Sequence, residues 1–264
     1  MQAAEPEPFP AILMAALKER VLGLQNYALL SARSVANVFS APRYPVDLIE
    51  QMDIIGVGSL PIVMLTGFFI GAVMVLQTAS QFERFGQTAL TGDVVAIALV
   101  RELGPSITAL LVAGRNASGI ASELGSMMVT EQVDAMRAMG TDPTRKLVTP
   151  RVLATVLMLP LLTAVADFIG LVGGFFVSNF ELRLNPVQYW TRAVDALEFG
   201  DLIQGLTKPL VFGFLIATIG CYQGLTVRGG TQGVGRATTE AVVVSSVFVL
   251  VTNFFIAKLM LFIF

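Results

Sequence analysis

The stretch 101-RELGPSITALLVAGRNASGIASELGSMMVTEQVDAMRAMG-140 decides the fold of this chain. It begins as an apolar helix with two adjacent charged residues, Arg101 and Glu102, which a bilayer tolerates only where they are shielded or used. After Arg115 the residues become small and polar, and from Thr130 they predict a short amphipathic helix that ends at Gly140. One continuous segment is therefore expected to join a charged position inside a membrane to an exposed helix outside it.

The composition places the chain in a membrane. Of its 264 residues, 55% are hydrophobic and only 14% are charged, and the mean hydropathy is +0.74, unlike a soluble globular domain. The net charge of −2 and the scattered basic residues offer no phosphate-binding patch, so no nucleic-acid partner is expected. With one cysteine, Cys221, and no histidine, the sequence predicts no disulfide, no metal site and no imidazole catalysis.

Hydropathy predicts an all-α integral membrane protein with five crossings, each of roughly 20 residues. They fall at about residues 54–78, 94–114, 152–177, 209–223 with flanks, and 241–264. We expect a loose tail at residues 1–10 and the transmembrane domain at residues 54–264. Between them, residues 11–53 are expected to form an amphipathic helix in the membrane interface and a connector. Packing of the amphipathic helix on a protein core fits its pattern nearly as well, but little soluble sequence remains to form such a core.

The basic residues predict the orientation of the chain. Eleven of the 17 Lys and Arg residues lie on the side of the N-terminus and four on the opposite side, with Arg101 and Lys258 inside the spans. The N-terminus is therefore expected in the cytoplasm and the C-terminus across the membrane. The helix at 130–140 is then cytoplasmic, and the loop at 179–207 faces outward.

The charged residues inside the spans are the candidate functional residues. Arg101 and Glu102 point about 100° apart on a helix and cannot simply neutralise each other. At least one of them needs another partner, for which Asp167 and Lys208 are the candidates. A cavity-lining role and a buried ion pair that fixes helix register fit these residues equally well.

A break in the second span is predicted where Gly104 is followed by Pro105. Such a break frees backbone groups, which persist in a membrane only where they face protein or a water-filled cavity. The break therefore draws attention to the positions directly before it, Arg101 and Glu102.

The helix predicted at 130–140 has an apolar and a charged face of three residues each: Val133, Met136 and Met139 against Glu131, Asp134 and Arg137. A surface helix that rests on the bilayer would show this pattern. A helix that docks on a protein partner would show it too, and methionines suit a surface that repacks against a partner. The pattern alone leaves both interpretations open.

The last polar loop, 229-GGTQGVGRATTE-240, has the glycine spacing of a phosphate-binding loop without its chemistry. Arg236 and Ala237 stand where a lysine and a hydroxyl residue are needed, and no strand precedes the loop. The sequence therefore predicts no nucleotide site, no cofactor and no enzymatic activity in this chain.

Three stretches together resemble the MlaE (YrbE) family of ABC-transporter permeases: residues 101–140 quoted above, 142-DPTRKLVTPRVLA-154 and 233-GVGRATTEAVVVSS-246. The resemblance covers most of the chain from the first span onward. It implies a permease subunit of an ATP-driven transporter for phospholipid or another hydrophobic lipid, located in the inner membrane.

The resemblance also implies partners and residue roles. The permease would form a homodimer, bind two cytoplasmic ATPase subunits that hold ATP and magnesium, and work with an outward-side MCE-domain protein. Residues 123–140 would be the coupling helix that docks on the ATPase, through Glu123, Thr130, Glu131, Asp134, Met136 and Arg137. Arg101 and Glu102 would line the lipid cavity between the protomers, with Lys208 near its outer mouth. Asp167 is added to these candidate cavity residues only because it is expected to be buried in the membrane; no family motif supports it.

Two other classes of protein compete with this interpretation. A proton-driven secondary transporter could use Glu102 and Asp167 as carriers, although the halves of the sequence show no evident inverted repeat. A membrane-embedded lipid enzyme would need a nucleophile or a metal constellation, and the acidic residues are not clustered at ligand spacing.

Overall fold

The computed structural model describes residues 9–180 and 185–263, and within these ranges the chain is helical without any β-strand. Its α-helices are α1 (Phe9–Val38), α2 (Pro45–Ile55), α3 (Leu60–Glu83), α4 (Thr91–Ala98), α5 (Gly104–Val112), α6 (Ser118–Val129), α7 (Gln132–Ala138), α8 (Thr149–Phe180), α9 (Pro186–Asp195), α10 (Phe199–Leu225) and α11 (Gly230–Ile263). Single π-helical turns lie at Leu99–Leu103, Ala113–Ala117 and Thr144–Val148. The all-α prediction is confirmed. Of the predicted tail at 1–10, residues 9 and 10 belong to α1, and the rest lies outside the described residues.

Five helical segments are long and apolar enough to cross a membrane, as hydropathy predicted. They are Pro45–Glu83, Thr88–Val129, Thr144–Phe180, Phe199–Leu225 and Gly230–Phe262. The helices run past the predicted crossings because charged residues that interrupt the hydropathy find partners within the bundle. Asp47 near the start of the first segment, for example, accepts a bond from Lys146 at 2.8 Å.

The largest difference from the sequence prediction lies at the fourth span. α10 begins at Phe199 rather than at residue 209, and the short helix α9 occupies part of the predicted outer loop. Lys208, expected at the outer end of this span, is therefore inside α10 and fully buried. A lysine can lie there because Glu102 of the second segment neutralises it.

The backbones of α3 and α8 touch in the middle of the bundle. A Cβ atom on Gly71 would overlap the carbonyl oxygen of Gly170, and one on Gly67 would lie 2.7 Å from the carbonyl oxygen of Ala166. Glycine alone permits such an approach. Around this pair, α10 packs against α8 and α6, and α11 packs against α10 and α6.

Helix α1 lies beside α8, α10 and the π-turn Thr144–Val148. It faces the bundle with small residues such as Ser34, which is fully buried, while Leu17, Val21 and Leu24 are exposed. The apolar stripe of α1 therefore does not pack on the bundle. An exposed apolar stripe suits a helix in the membrane interface.

The bundle has two ends. One carries α7 and the turn between α10 and α11, and we call it the α7 end. The other carries α9 and the start of α10, and we call it the α9 end.

Candidate functional site

The second membrane segment changes its helical geometry at the predicted break. Leu99–Leu103 form one π-helical turn, in which the N–H of Gly104 donates to the carbonyl oxygen of Leu99, and α5 starts at Gly104 with Pro105 in its first turn. Proline has no N–H, and its ring crowds the carbonyl one turn before it. The helix is therefore widened here and not interrupted. The widened turn carries Arg101 and Glu102.

Lys208 of α10 lies against this widened turn with a fully buried side chain. Its Nζ donates to Oε1 of Glu102 at 2.7 Å and to the carbonyl oxygen of Arg101 at 2.6 Å. In an α-helix that carbonyl would accept from the N–H of residue 105, which Pro105 lacks. Lys208 thus satisfies a backbone acceptor as well as a carboxylate.

Glu102 is also reached from α11. The Nδ2 of Asn253 donates to its Oε2 at 3.3 Å. The Glu102 side chain remains 44% exposed, whereas that of Lys208 is fully covered. The carboxylate therefore lies at the surface of the bundle, between the second segment, α10 and α11, with the lysine behind it.

Arg101 finds its partner at the start of α10. Its Nε donates to Oδ1 of Asp201, whose side chain is buried. Oδ2 of Asp201 accepts from the N–H of Glu198 at 3.0 Å, as part of a capping box that starts the helix. From the sequence, Asp201 was expected in the outer loop, and its pairing with Arg101 was not predicted. The acidic capping pattern of Glu198 and Asp201 was the signal that could have located the start of α10.

These residues form one intramembrane charge cluster: Arg101, Glu102, Asp201 and Lys208, with Asn253 at its edge. Two positive and two negative charges balance, and the buried members anchor the exposed ones. Within the described part of the chain, the Nη atoms of Arg101 have no hydrogen-bond partner. The cluster can therefore offer a guanidinium and a carboxylate to a polar group at the surface of the bundle.

Asp167 of α8 does not join the cluster. It lies against Gly104, where a Cβ atom would overlap its carboxyl group, and its Oδ1 has no hydrogen-bond partner among the residues described. The carboxyl adjoins a small cavity of about 10 Å³ that Thr66 and Thr108 also line. Asp167 is thus the one predicted cavity residue that the structure sets apart from the other three.

The exposed helix predicted at 130–140 is α7, which a tight turn separates from α6. Glu131 has a left-handed backbone conformation with φ of 58°, and the chain changes direction there. Val133 is fully buried against the bundle and Met136 is half-buried, whereas Met139 is 75% exposed. α7 is therefore held on one side and open on the other.

The open side of α7 carries the predicted charged residues. Glu131, Asp134 and Arg137 are all exposed, and Nη1 of Arg137 donates to Oδ1 of Asp134 at 2.8 Å. The Thr130 hydroxyl donates a hydrogen bond to the carbonyl oxygen of Ser126 at 2.8 Å, at the last turn of α6. The surface of α7 is thus available to a partner.

Glu123, the first residue of the segment assigned to coupling, lies in α6 and not in α7. Its carboxylate pairs at 2.6 Å with Arg151, which is buried near the start of α8 and also donates to the carbonyl oxygen of Leu147 at 2.7 Å. This pair ties the end of the second membrane segment to the start of the third.

The α9 end carries an amphipathic helix on the bundle. The side chain of Asn185 caps α9 by accepting from the N–H of Val187 at 3.0 Å. Tyr189 and Ala193 are buried, and burial raises the pKa of the Tyr189 hydroxyl above its usual range. Val187 and Val194 are exposed. An apolar strip is thus open at this end.

Five apolar crossings, with a charge cluster between the second and fourth segments that the fifth segment also contacts, define the class of the protein, a multi-pass α-helical membrane protein. In the described residues no group of acidic or cysteine side chains could hold a metal ion.

Comparison with known proteins specifies the family. The family described as Permease MlaE matches residues 48–259. A probable ABC transporter permease protein of Rickettsia typhi is 43% identical over 234 residues, which cover 89% of this chain and 90% of that protein. A protein of the same description from Synechocystis sp. is 43% identical over 214 residues, 81% of each chain. The chloroplastic protein TRIGALACTOSYLDIACYLGLYCEROL 1 of Arabidopsis thaliana is 37% identical over 212 residues, 80% of this chain and 61% of that protein. This chain belongs to the MlaE permease family, and the resemblance found in its sequence is confirmed.

Proposed function

We propose that this chain is the permease subunit of an ATP-driven lipid transporter and that the intramembrane charge cluster lies at its lipid-binding surface. The observation that carries the proposal is the partial exposure of Arg101 and Glu102 on a membrane-spanning segment, where buried Asp201 and Lys208 hold them in place. A lipid combines a polar headgroup with apolar tails, and this surface combines the matching groups. The Arabidopsis relative is named after a lipid, trigalactosyldiacylglycerol, which supports this substrate class.

A headgroup would meet the cluster through Arg101 and Glu102. The planar guanidinium suits a phosphate or an ester oxygen because it presents two parallel N–H donors. The acyl tails would lie on the exposed apolar residues of α11, such as Leu250 and Phe254. A second copy of the chain would enclose this surface, and the proposed homodimer thereby forms a cavity from two half-sites.

The exposed side of α7 would dock on a cytoplasmic ATPase subunit, which would hold ATP and magnesium. A displacement of α7 would reach two membrane segments, because α7 follows α6 through the turn at Glu131, and the Glu123–Arg151 pair joins α6 to α8. In this arrangement the α7 end and the N-terminus are cytoplasmic, as the distribution of basic residues predicts. The α9 end then faces outward, where an MCE-domain protein would bind.

Photo-crosslinking tests the lipid-binding surface. A photoreactive residue at position 102 should capture co-purified lipid after extensive detergent washing. A photoreactive residue at Leu65, which is 61% exposed on α3, serves as the control for loosely bound boundary lipid. Equal or lower capture at position 102 would remove Glu102 from the lipid site.

Charge reversal on α7 tests the coupling. The double substitution Glu131→Lys and Asp134→Lys should abolish co-purification of the ATPase and ATP-dependent lipid transport. The same charge change at Glu50 and Asp53, exposed carboxylates of α2, should leave both intact. Retention of the ATPase by the α7 variant would show that the docking surface lies elsewhere. Transport that followed a proton gradient without ATP would instead favour a secondary transporter.

A further inference from the structure

The outer half of α11 is weakly packed. The buried residues of this helix form one stripe at intervals of one turn: Ala237, Ala241, Ser245 and Val249. From residue 250 to residue 262 every residue is half-buried or exposed. α11 packs mainly on α6, α10 and the π-turn Ala113–Ala117, so its contacts decrease toward the α9 end.

Asn253 is the next position on the same stripe, one turn after Val249. Its Nδ2 donates to Oε2 of Glu102 at 3.3 Å. In the described part of the chain, no other side-chain hydrogen bond or ion pair joins α11 to another helix. Besides the apolar contact of half-buried Ile256 with the core, one polar contact attaches the weakly packed half of α11 to the bundle.

This contact ends on the charge cluster itself. Glu102 accepts from Lys208 with one carboxylate oxygen and from Asn253 with the other. The Lys208 bond is 2.7 Å long and buried behind the carboxylate, whereas the Asn253 bond is longer and lies at the bundle surface. Of the two bonds, the one to Asn253 is weaker and can open while the ion pair stays closed.

We propose that Asn253 is a positioning residue that holds the outer half of α11 against the Glu102–Lys208 pair, and that opening of this bond moves α11 as the mobile wall of the lipid cavity. The assignment of α11 as a cavity wall rests on the proposed function, whereas the contact and its release do not. A headgroup that reaches Glu102 would compete directly with the amide of Asn253. Arrival of a lipid at the cluster would therefore favour the open position of α11.

Spin-label distances measure this motion without ATPase, nucleotide or transport. Cys221 is the only cysteine and is fully buried, so that labels can be attached at Val187→Cys in α9 and Leu259→Cys in α11, both exposed positions. Labelled chains are reconstituted in nanodiscs at high dilution with unlabelled chains, so that the distances are measured within one chain. Asn253→Ala should raise the population of the longer distance about three- to tenfold, the effect of losing one interhelical hydrogen bond.

Two controls separate positioning from general weakening. Thr252→Ala removes a neighbouring polar side chain that has no described bond to another helix, and it should leave the distances unchanged. In a chain with Glu102→Ala and Lys208→Met, in which neither member of the pair is left as an unpaired charge, Asn253→Ala should add nothing. An unchanged distance distribution in Asn253→Ala, an equal shift in Thr252→Ala, or a full further shift in the triple variant would each overturn the proposal. Failure of lipid capture at position 102 with a clear Asn253 effect would remove Glu102 from the proposed lipid site and leave the contact standing.

Discussion

The two partners of the Glu102–Lys208 pair should respond very differently to removal, because one is buried and the other is not. Glu102→Ala leaves the Lys208 ammonium fully buried, with only the carbonyl oxygen of Arg101 as a partner. Lys208→Met fills the same space with an apolar side chain and leaves Glu102, which is 44% exposed and still bonded to Asn253. We therefore expect Glu102→Ala to be the more harmful substitution.

The magnitudes follow from burial. An unpaired buried charge costs about 3–5 kcal/mol, which we assign to Glu102→Ala. Lys208→Met loses a bond to a partly exposed carboxylate and leaves one carbonyl without a donor, a loss of about 1–2 kcal/mol. The double variant leaves no charge unpaired, so its loss should also be about 1–2 kcal/mol. At about 2–4 °C per kcal/mol, these values predict a Tm roughly 10 °C lower for Glu102→Ala and about 5 °C lower for the other two.

The single cysteine supplies the assay. Because Cys221 is fully buried, a fluorogenic thiol reagent reports unfolding when Cys221 becomes accessible on heating in mild detergent. All variants are compared at one scan rate, since unfolding of membrane proteins is commonly irreversible. Lys146→Met, in the more exposed Lys146–Asp47 pair of 2.8 Å, is the matched control and should shift the Tm by less than about 3 °C. A double variant less stable than Glu102→Ala, or Lys208→Met as harmful as Glu102→Ala, would refute the reasoning.

Three further predictions use the same melting assay. Gly71→Ala should lower stability by about 2–4 kcal/mol because the new Cβ would overlap a carbonyl oxygen of α8. Gly114→Ala is the control: it has open space around it and should change stability by less than about 1 kcal/mol. Equal effects of the two substitutions would contradict the backbone contact. Gly104→Ala should lower the stability of the protein because the new Cβ would overlap the Asp167 carboxyl group, and adding Asp167→Ala should restore part of that stability. A double variant as unstable as Gly104→Ala alone would contradict this overlap. Glu131→Gly should raise stability by about 1 kcal/mol, since glycine adopts the left-handed conformation of this position without strain. The same substitution should weaken ATPase binding if the Glu131 carboxylate is a docking contact. A lower Tm would argue against strain at this position.

Hydropathy was sufficient to predict the five crossings, because a hydrocarbon core requires long apolar helices whatever their packing. Their ends were predicted too short, since a sequence window stops at a charge without knowing its partner. Lys208 ended the predicted fourth span and Asp201 was assigned to the outer loop, yet each is buried inside α10 beside a residue of the second segment.

The candidate site was predicted in part. Arg101 and Glu102 were singled out because charged residues in an apolar helix are costly, and Lys208 was one of the two partners considered. Asp167 met the same criterion, but partner choice depends on how the helices are rotated against each other, and hydropathy carries no such information. Asn253 was overlooked because a single amide in an apolar span is only a weak signal. Its bond to Glu102 became visible only with the position of α11.

In the proposed lipid transporter, the backbone contact between α3 and α8 would restrict the routes that a lipid can take. A side chain at an interface can change rotamer and open a gap, but a helical carbonyl group cannot turn aside, so that α3 cannot slide past α8 while Gly71 rests on Gly170. In the proposed transport cycle the two helices therefore stay together as one rigid unit, and the other segments shift against it. Under the proposed function, the seam between α3 and α8 stays closed to acyl chains, and a lipid would enter and leave elsewhere on the protomer.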